Sequence, residues 1–98
     1  MKPEQLEKLL ENNAKINVID VREDEEVAQG MIPTAKHIAL GTIPESADSL
    51  DKEQEYVMVC RSGKRSMNAS EYLKAQGFRK VHNLEGGMLD WNGELVFY

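Results

Sequence analysis

The run "VMVCRSGKRSMNAS", residues 57–70, holds the only cysteine of the chain, Cys60, and three cations in the next five positions: Arg61, Lys64 and Arg65. No acidic residue interrupts positions 60–65. One thiol forms neither an internal disulfide nor a four-cysteine zinc site. It is inert core filler or a nucleophile, and cysteine is often simply buried. A nucleophilic cysteine works as the thiolate, and free cysteine, with a pKa of about 8.5, is mostly protonated at pH 7. Each unit of lowering needs about 1.4 kcal/mol of preference for the anion. A helix terminus supplies about 0.3–1 kcal/mol, and a hydrogen bond to a charged acceptor about 1.5–3 kcal/mol. Several aligned amides would therefore outweigh the dipole, with the solvent-screened cations adding a smaller share.

Amides aligned in this way need a strand, a tight loop and a helix in that order. "YVMVC", 56–60, is an apolar run flanked by charge, as a central parallel strand buried on both faces reads. "SMNASEYLKAQG", 66–77, is the clearest helix. Ala69, Tyr72, Leu73 and Gln76 share a face, Asn68 and Glu71 have capping-box spacing, and Gly77 ends it. Between them lies a loop, Arg61, Ser62, Gly63, Lys64 and Arg65, whose amides and those of the first helical turn lack intrahelical partners. If it curls, they form an anion cup. Gly63 permits a backbone that a side chain would resist. The alternative is a solvated turn after a cysteine that merely fills a strand end. The coincidence of buried strand, thiol, glycine, cations and helix start favours the active thiol.

The rest of the chain supplies a frame. Leu6, Leu9 and Leu10 at helical spacing, with Pro3 in the first turn, predict a helix over 3–11 that ends at Asn12-Asn13. "INVIDV", 16–21, "AKHIAL", 35–40, and "KVHNL", 80–84, read as strands. "EDEEVAQG", 23–30, reads as a short helix closing on Gly30, residues 41–55 as a polar connection with a helical turn near Ala47, and Gly86-Gly87 as the turn into a short helix carrying Met88, Leu89 and Trp91. This alternation predicts an α/β fold with a mainly parallel sheet, in one domain spanning 1–98. Such sheets bind ligands where strand carboxyl ends run into loops, which is where Cys60 falls.

The composition narrows the function. With 98 residues, a net charge of −5 and 41% hydrophobic residues, the chain has an ordinary globular balance. An acidic body argues against general nucleic-acid binding, and the local positive spot argues for a small anion. No apolar run is long enough to span a bilayer, and the start lacks the core of a signal peptide, so the expected compartment is the cytoplasm, with no membrane partner. His37 and His82 lie in predicted strands and read as residues at partly exposed sheet edges, not as partners of Cys60. No metal or other cofactor is expected.

"VIDVRE" at 18–23, "GMIPTAKHI" at 30–38, "VCRSGKRS" at 59–66 and "NLEGGMLDW" at 83–91 together resemble the rhodanese-like sulfurtransferase family. The resemblance implies a central five-stranded, mainly parallel sheet flanked by helices on both faces. It implies that Cys60 carries sulfur as a persulfide, taken from a small anionic donor such as thiosulfate and passed to cyanide, a low-molecular-weight thiol or a protein thiol. Amides from Arg61 to Arg65 would hold the persulfide, and the three cations would draw in the donor. Asp20 and Arg22 match an Asp-x-Arg that shapes the pocket; the alternative is that Asp20 only caps local backbone. Glu85-Gly86-Gly87 matches a turn beside the pocket but reads better as a tight turn before the last helix, with Trp91 in packing.

Departures from the pattern are specific. Gly30-Met31-Ile32-Pro33-Thr34-Ala35 lacks the family's His and second Gly. Glu26 stands where some two-domain members carry a donor-binding arginine, which implies modest thiosulfate affinity. No closing proline follows Trp91. Two rival functions remain: a sulfur-relay or regulatory module of low turnover that docks a basic partner on acidic faces at 23–26 and 48–55, and a phosphatase or arsenate reductase. The loop from Cys60 to Arg65 has the length of the sulfurtransferases, one residue shorter than that of the related phosphatases.

Overall fold

The computed structural model describes residues 1–97. Helix α1 (Pro3–Glu11) starts on a proline whose missing N–H costs nothing there, and it buries Leu6 completely. Strand β1 (Asn17–Asp20), the single turn α2 (Asp24–Val27), strand β2 (Lys36–His37), the short helix α3 (Ile43–Ser46), strand β3 (Glu55–Val59), helix α4 (Lys64–Ala75) and strand β4 (Lys80–Asn83) follow. A 3₁₀ turn, Gly87–Asp90, comes after β4.

The sheet is parallel throughout, in the order β2-β1-β3-β4. β3, the continuous apolar run, lies in the interior, and the two histidines fall on the edge strands β2 and β4. Alternation along the strands divides the core. Ile19, Tyr56, Met58 and Cys60 face α4 through Ala69 and Leu73. Val18, Val57 and Val59 face α1 through Leu6. Helical layers therefore cover both faces, which is why Val18 and Ile19 of β1 and Tyr56 to Val59 of β3 are apolar on both faces of the sheet.

Four strands form among the described residues, against the five that the resemblance implies. At the place of a fifth there is one residue: the Met1 amino group donates to the Asn83 carbonyl at 2.8 Å, and the Glu85 N–H donates to the Met1 carbonyl at 2.9 Å. One residue beside β4 is too little to count as a strand. The strand expected over 35–40 shrinks to Lys36–His37, because a 3₁₀ turn begins at Leu40. The short helix expected over 23–30 is one turn, and the helical turn near Ala47 is present as α3 and a following 3₁₀ turn. Beyond Trp91 the chain returns to pair Val96 with Met31 through two hydrogen bonds of 2.8 Å. The final residue of the expected closing segment lies outside the described residues.

α4 differs from expectation at its start. It begins at Lys64, two residues before the predicted position, and Asn68 and Glu71 are interior residues, not caps. Gly63 is the N-cap, with φ +99°, a conformation glycine adopts without steric cost. The buried face is correspondingly rotated: Ser66, Ala69, Ser70 and Leu73 are buried and Gln76 is exposed. The earlier start leaves only Cys60, Arg61, Ser62 and Gly63 to span from β3 to α4, which tightens the loop around the sulfur.

Candidate active site

Cys60 follows β3 directly, at the carboxyl end of the central sheet. Its side chain has no solvent exposure, but the sulfur is not surrounded by hydrocarbon alone. The Gly63 N–H donates to Sγ at 3.0 Å, and the Ser66 hydroxyl donates to it at 3.2 Å. Above it, Arg61 and Ser62 are exposed, so the thiol lies directly under a thin loop. Burial pushes the Cys60 thiol up. The Ser66 hydroxyl and the backbone N–H groups of Ser66, Gly63 and Ser62 outweigh burial and hold its pKa below the ordinary value. Of the amides expected to converge on the thiol, the Gly63 N–H makes a hydrogen bond to Sγ, and the second donor is a side-chain hydroxyl, that of Ser66.

The loop is also held from outside, through two of its carbonyls. Met88 N–H donates to the Cys60 carbonyl at 2.8 Å, and Leu89 N–H donates to the Arg61 carbonyl at 3.0 Å. The 3₁₀ turn after Gly86-Gly87 thus grips the loop from outside. Gly87 has φ +56°, and a Cβ there would sit 2.4 Å from the Cys60 oxygen. The double glycine gives the close approach that this grip requires.

Asn83 links the loop to the first turn of α4. Asn83, at the end of β4, donates from Nδ2 to the Gly63 carbonyl at 3.1 Å, and its Oδ1 faces the Ser66 hydroxyl. Ser66 and Asn83 escaped the sequence reading. The only signal for Ser66 is a buried serine one turn into a helix. Asn83 gives none until the register sets β4 beside β3.

The three cations are not equivalent. Arg61 and Lys64 are exposed and make no ion pair among the described residues. Arg65 is engaged: Nη1 and Nη2 meet the two Glu26 carboxylate oxygens at 2.7 and 2.8 Å. Those hydrogen bonds, the Glu23 N–H and nearby positive charge overcome partial burial and bring Glu26 to about 2.

Asp20 and Arg22 form a buried brace. Arg22 donates from Nε and Nη2 to the Asp20 carboxylate at 2.8–3.0 Å, and also reaches the Gly30 carbonyl at 2.8 Å and the Glu26 carbonyl at 3.2 Å. Asp20 also accepts the Arg22 N–H, the local backbone role weighed above. The brace fixes the path from β1 through α2, and so the backbone that carries Glu26. His37 meets the Arg22 carbonyl and His82 meets Glu55, both away from the sulfur. Trp91 donates its indole N–H to the Glu94 carbonyl and packs on the α1 face. No cluster of metal-ligating side chains occurs among the described residues, and no helix is long and apolar enough to cross a membrane.

Such a site, a cysteine at a strand end that accepts from one loop amide and one hydroxyl, suits an anionic nucleophile. A family model described as a rhodanese-like domain matches residues 2–94. Over 89 residues the chain is 57% identical to a Bacillus subtilis protein named "Putative sulfurtransferase YtwF", covering 91% of this chain and 85% of the relative. It is 39% identical over 88 residues to a sulfurtransferase of Allochromatium vinosum, covering 90% of this chain and 82% of that one. The crystal structure of a rhodanese-like domain protein from Staphylococcus aureus superposes with a TM-score of 0.92 at 39% identity, covering 100% of this chain and 96% of that chain. These likenesses support sulfurtransferase activity in general. With its sheet, its cysteine loop and its sequence in agreement, the chain belongs to the rhodanese-like domain family.

Proposed function

We propose that this protein moves sulfane sulfur from a small anionic donor such as thiosulfate to a thiophilic acceptor, through a persulfide on Cys60. The observation that carries the reading is the hydrogen bonding at Sγ: one loop amide and one helix hydroxyl donate to it, so the sulfur is held ready as an anion.

In the first half-reaction the Cys60 thiolate attacks the outer sulfur of the donor. A bond forms between Sγ and that sulfur, the donor's S–S bond breaks, and sulfite leaves with the electron pair. The negative charge now rests on the added sulfur, within reach of the amides from Arg61 to Arg65, which is electrostatic stabilisation by prearranged donors. Arg61 and Lys64 attract the anion and steady the departing sulfite. In the second half-reaction a thiolate or cyanide attacks the outer sulfur and Cys60 leaves as thiolate, restoring the starting state. Asp20 and Arg22 act from behind, through the backbone they brace. No cofactor is required by these steps.

Intact mass tests the reading. Millimolar thiosulfate adds about 32 Da to the wild-type chain, one sulfur as a persulfide, and Cys60→Ser abolishes the adduct. No adduct on the wild type with any sulfane donor defeats the proposal. Steady thiocyanate production from thiosulfate and cyanide marks an enzyme in its own right; transfer to a single protein thiol without such turnover marks a relay. Cys60-dependent hydrolysis of an aryl phosphate would instead favour the phosphatase reading.

A further inference from the structure

We propose that Glu26 sets the charge of the donor that Cys60 accepts. By holding Arg65 in a bidentate ion pair it cancels one of the three loop cations, and so favours donors with one negative charge at the reacting group, organic persulfides and thiosulfonates, over doubly charged thiosulfate. The proposal rests on the sulfur-transfer reading and names its substrate class.

The pair is built into the site. Arg65 lies in the first turn of α4, next to Ser66, whose hydroxyl touches the sulfur. Both terminal nitrogens of its guanidinium are taken up by the Glu26 carboxylate at 2.7 and 2.8 Å. A fork of this geometry is directional and stronger than a pair of point charges. Glu26 is itself fixed. Its Oε1 also accepts the Glu23 N–H at 3.0 Å, and its carbonyl accepts from buried Arg22 at 3.2 Å. The carboxylate is therefore a stationary charge on a braced turn, not a surface side chain that an incoming anion can push aside. The charge on Cys60 contributes to Arg65's raised basicity, after the larger effect of Glu26, so the pair lies within electrostatic reach of the sulfur.

The consequence follows from Coulomb's law. A dianion feels each nearby charge at twice the strength felt by a monoanion. Neutralising one cation therefore penalises thiosulfate more than a singly charged donor, leaving Arg61 and Lys64 as the attracting pair. Thiosulfate and methanethiosulfonate read this difference cleanly. The Cys60 thiolate attacks the outer sulfur of either one, the same S–S bond to Cys60 forms, and sulfite or methanesulfinate leaves with the electron pair. Dividing the two rate constants for persulfide formation removes any effect on the nucleophile.

The experiment follows intact mass over time for full-length wild type, Glu26→Gln, Arg65→Gln and the double variant, with each donor. Glu26→Gln raises the thiosulfate-to-methanethiosulfonate ratio about threefold to tenfold, by freeing a cation. Arg65→Gln lowers it by a similar factor, by leaving the carboxylate uncompensated. The double variant returns to within about twofold of wild type, since both charges are gone. Either single variant carries the test if the other fails to fold. A ratio that stays within about twofold in the single variants, or moves the opposite way, overturns the role of Glu26. That result leaves sulfur transfer standing so long as the wild type gains sulfur; a wild type that gains none from either donor overturns the sulfur-transfer reading itself.

Discussion

Ser66 has one hydroxyl proton and two acceptors for it. Cys60 Sγ lies 3.2 Å away on one side, and Asn83 Oδ1 lies on the other. The Asn83 amide cannot turn over to remove the competition, because its Nδ2 is committed to the Gly63 carbonyl. The proton belongs to the sulfur when the sulfur is charged, and to the asparagine when it is not. Ser66→Ala removes this donor and leaves burial, which opposes the thiolate, less well compensated. The sign is fixed: the Cys60 pKa rises toward or beyond that of an ordinary thiol, and the pH at which the thiol becomes reactive moves up. Loss of one hydrogen bond to a charged acceptor, about 1.5 kcal/mol, makes alkylation by iodoacetamide about tenfold slower at pH 7. At a pH well above the shifted midpoint the two rates converge. A uniform loss at every pH would show that Ser66 acts on access and not on the thiolate.

The grip of the 3₁₀ turn at Gly87–Asp90 on the Cys60 loop joins two elements through backbone alone. Gly87→Ala places a Cβ 2.4 Å from the Cys60 oxygen and 2.6 Å from the Arg61 oxygen, so the turn must withdraw. The hydrogen bonds from Met88 and Leu89 then lengthen, and the loop carbonyls are free to rotate inward. Persulfide formation falls by about a hundredfold, the penalty for displacing reacting groups by an ångström, while far-UV circular dichroism still reports the sheet and helices. At the bend before β2 the replacement runs the other way. Thr34 has φ +71°, a left-handed conformation costly for a β-branched residue. Thr34→Gly removes that strain and gives back part of the gain as unfolded-state entropy, so thermal unfolding shifts upward by a few degrees, about 0.5–1 kcal/mol. These two turns mark how far the sequence was readable. The apolar runs at β1 and β3, the leucine spacing of α1 and the strand–loop–helix order around Cys60 are legible in residue type and spacing, because burial and helical periodicity are local patterns. Gly86-Gly87 announces a turn but not its target, since the partner carbonyls lie a quarter of the chain away. The start of α4 was misplaced because Lys64 and Arg65, read as loop cations, also serve as a first helical turn. Asn83 and the Glu26–Arg65 pair needed the register and the packing of α2 before their roles could be seen.

At the scale of the whole molecule, the carboxyl end of β1 ties the sheet to α2 and the bend at Gly30. Asp20 is 1% exposed and Arg22 is 6% exposed, and between them they hold α2 and the bend at Gly30. A chain of this size has about 5–10 kcal/mol of stability to lose. A buried ion pair adds little to that total when both partners are present, but removing one partner leaves a charge without solvent or counter-charge. Arg22→Ala therefore costs about 3–5 kcal/mol, since it strands the Asp20 carboxylate and also unbinds two backbone carbonyls. The midpoint of urea unfolding drops by about 3–5 M at a slope of about 1 kcal/mol per molar. Asp20→Asn combined with Arg22→Met removes both charges and recovers part of the loss, because the remaining cost is unpaired polar groups and not a buried ion. If the double variant is no more stable than Arg22→Ala, the stranded charge is not the cause, and the brace works chiefly through the carbonyls of Glu26 and Gly30. Sulfur loading discriminates further: below the unfolding midpoint the double variant keeps the Cys60 cup but loosens the backbone that presents Glu26. Its donor preference therefore drifts toward thiosulfate while its thiol stays reactive.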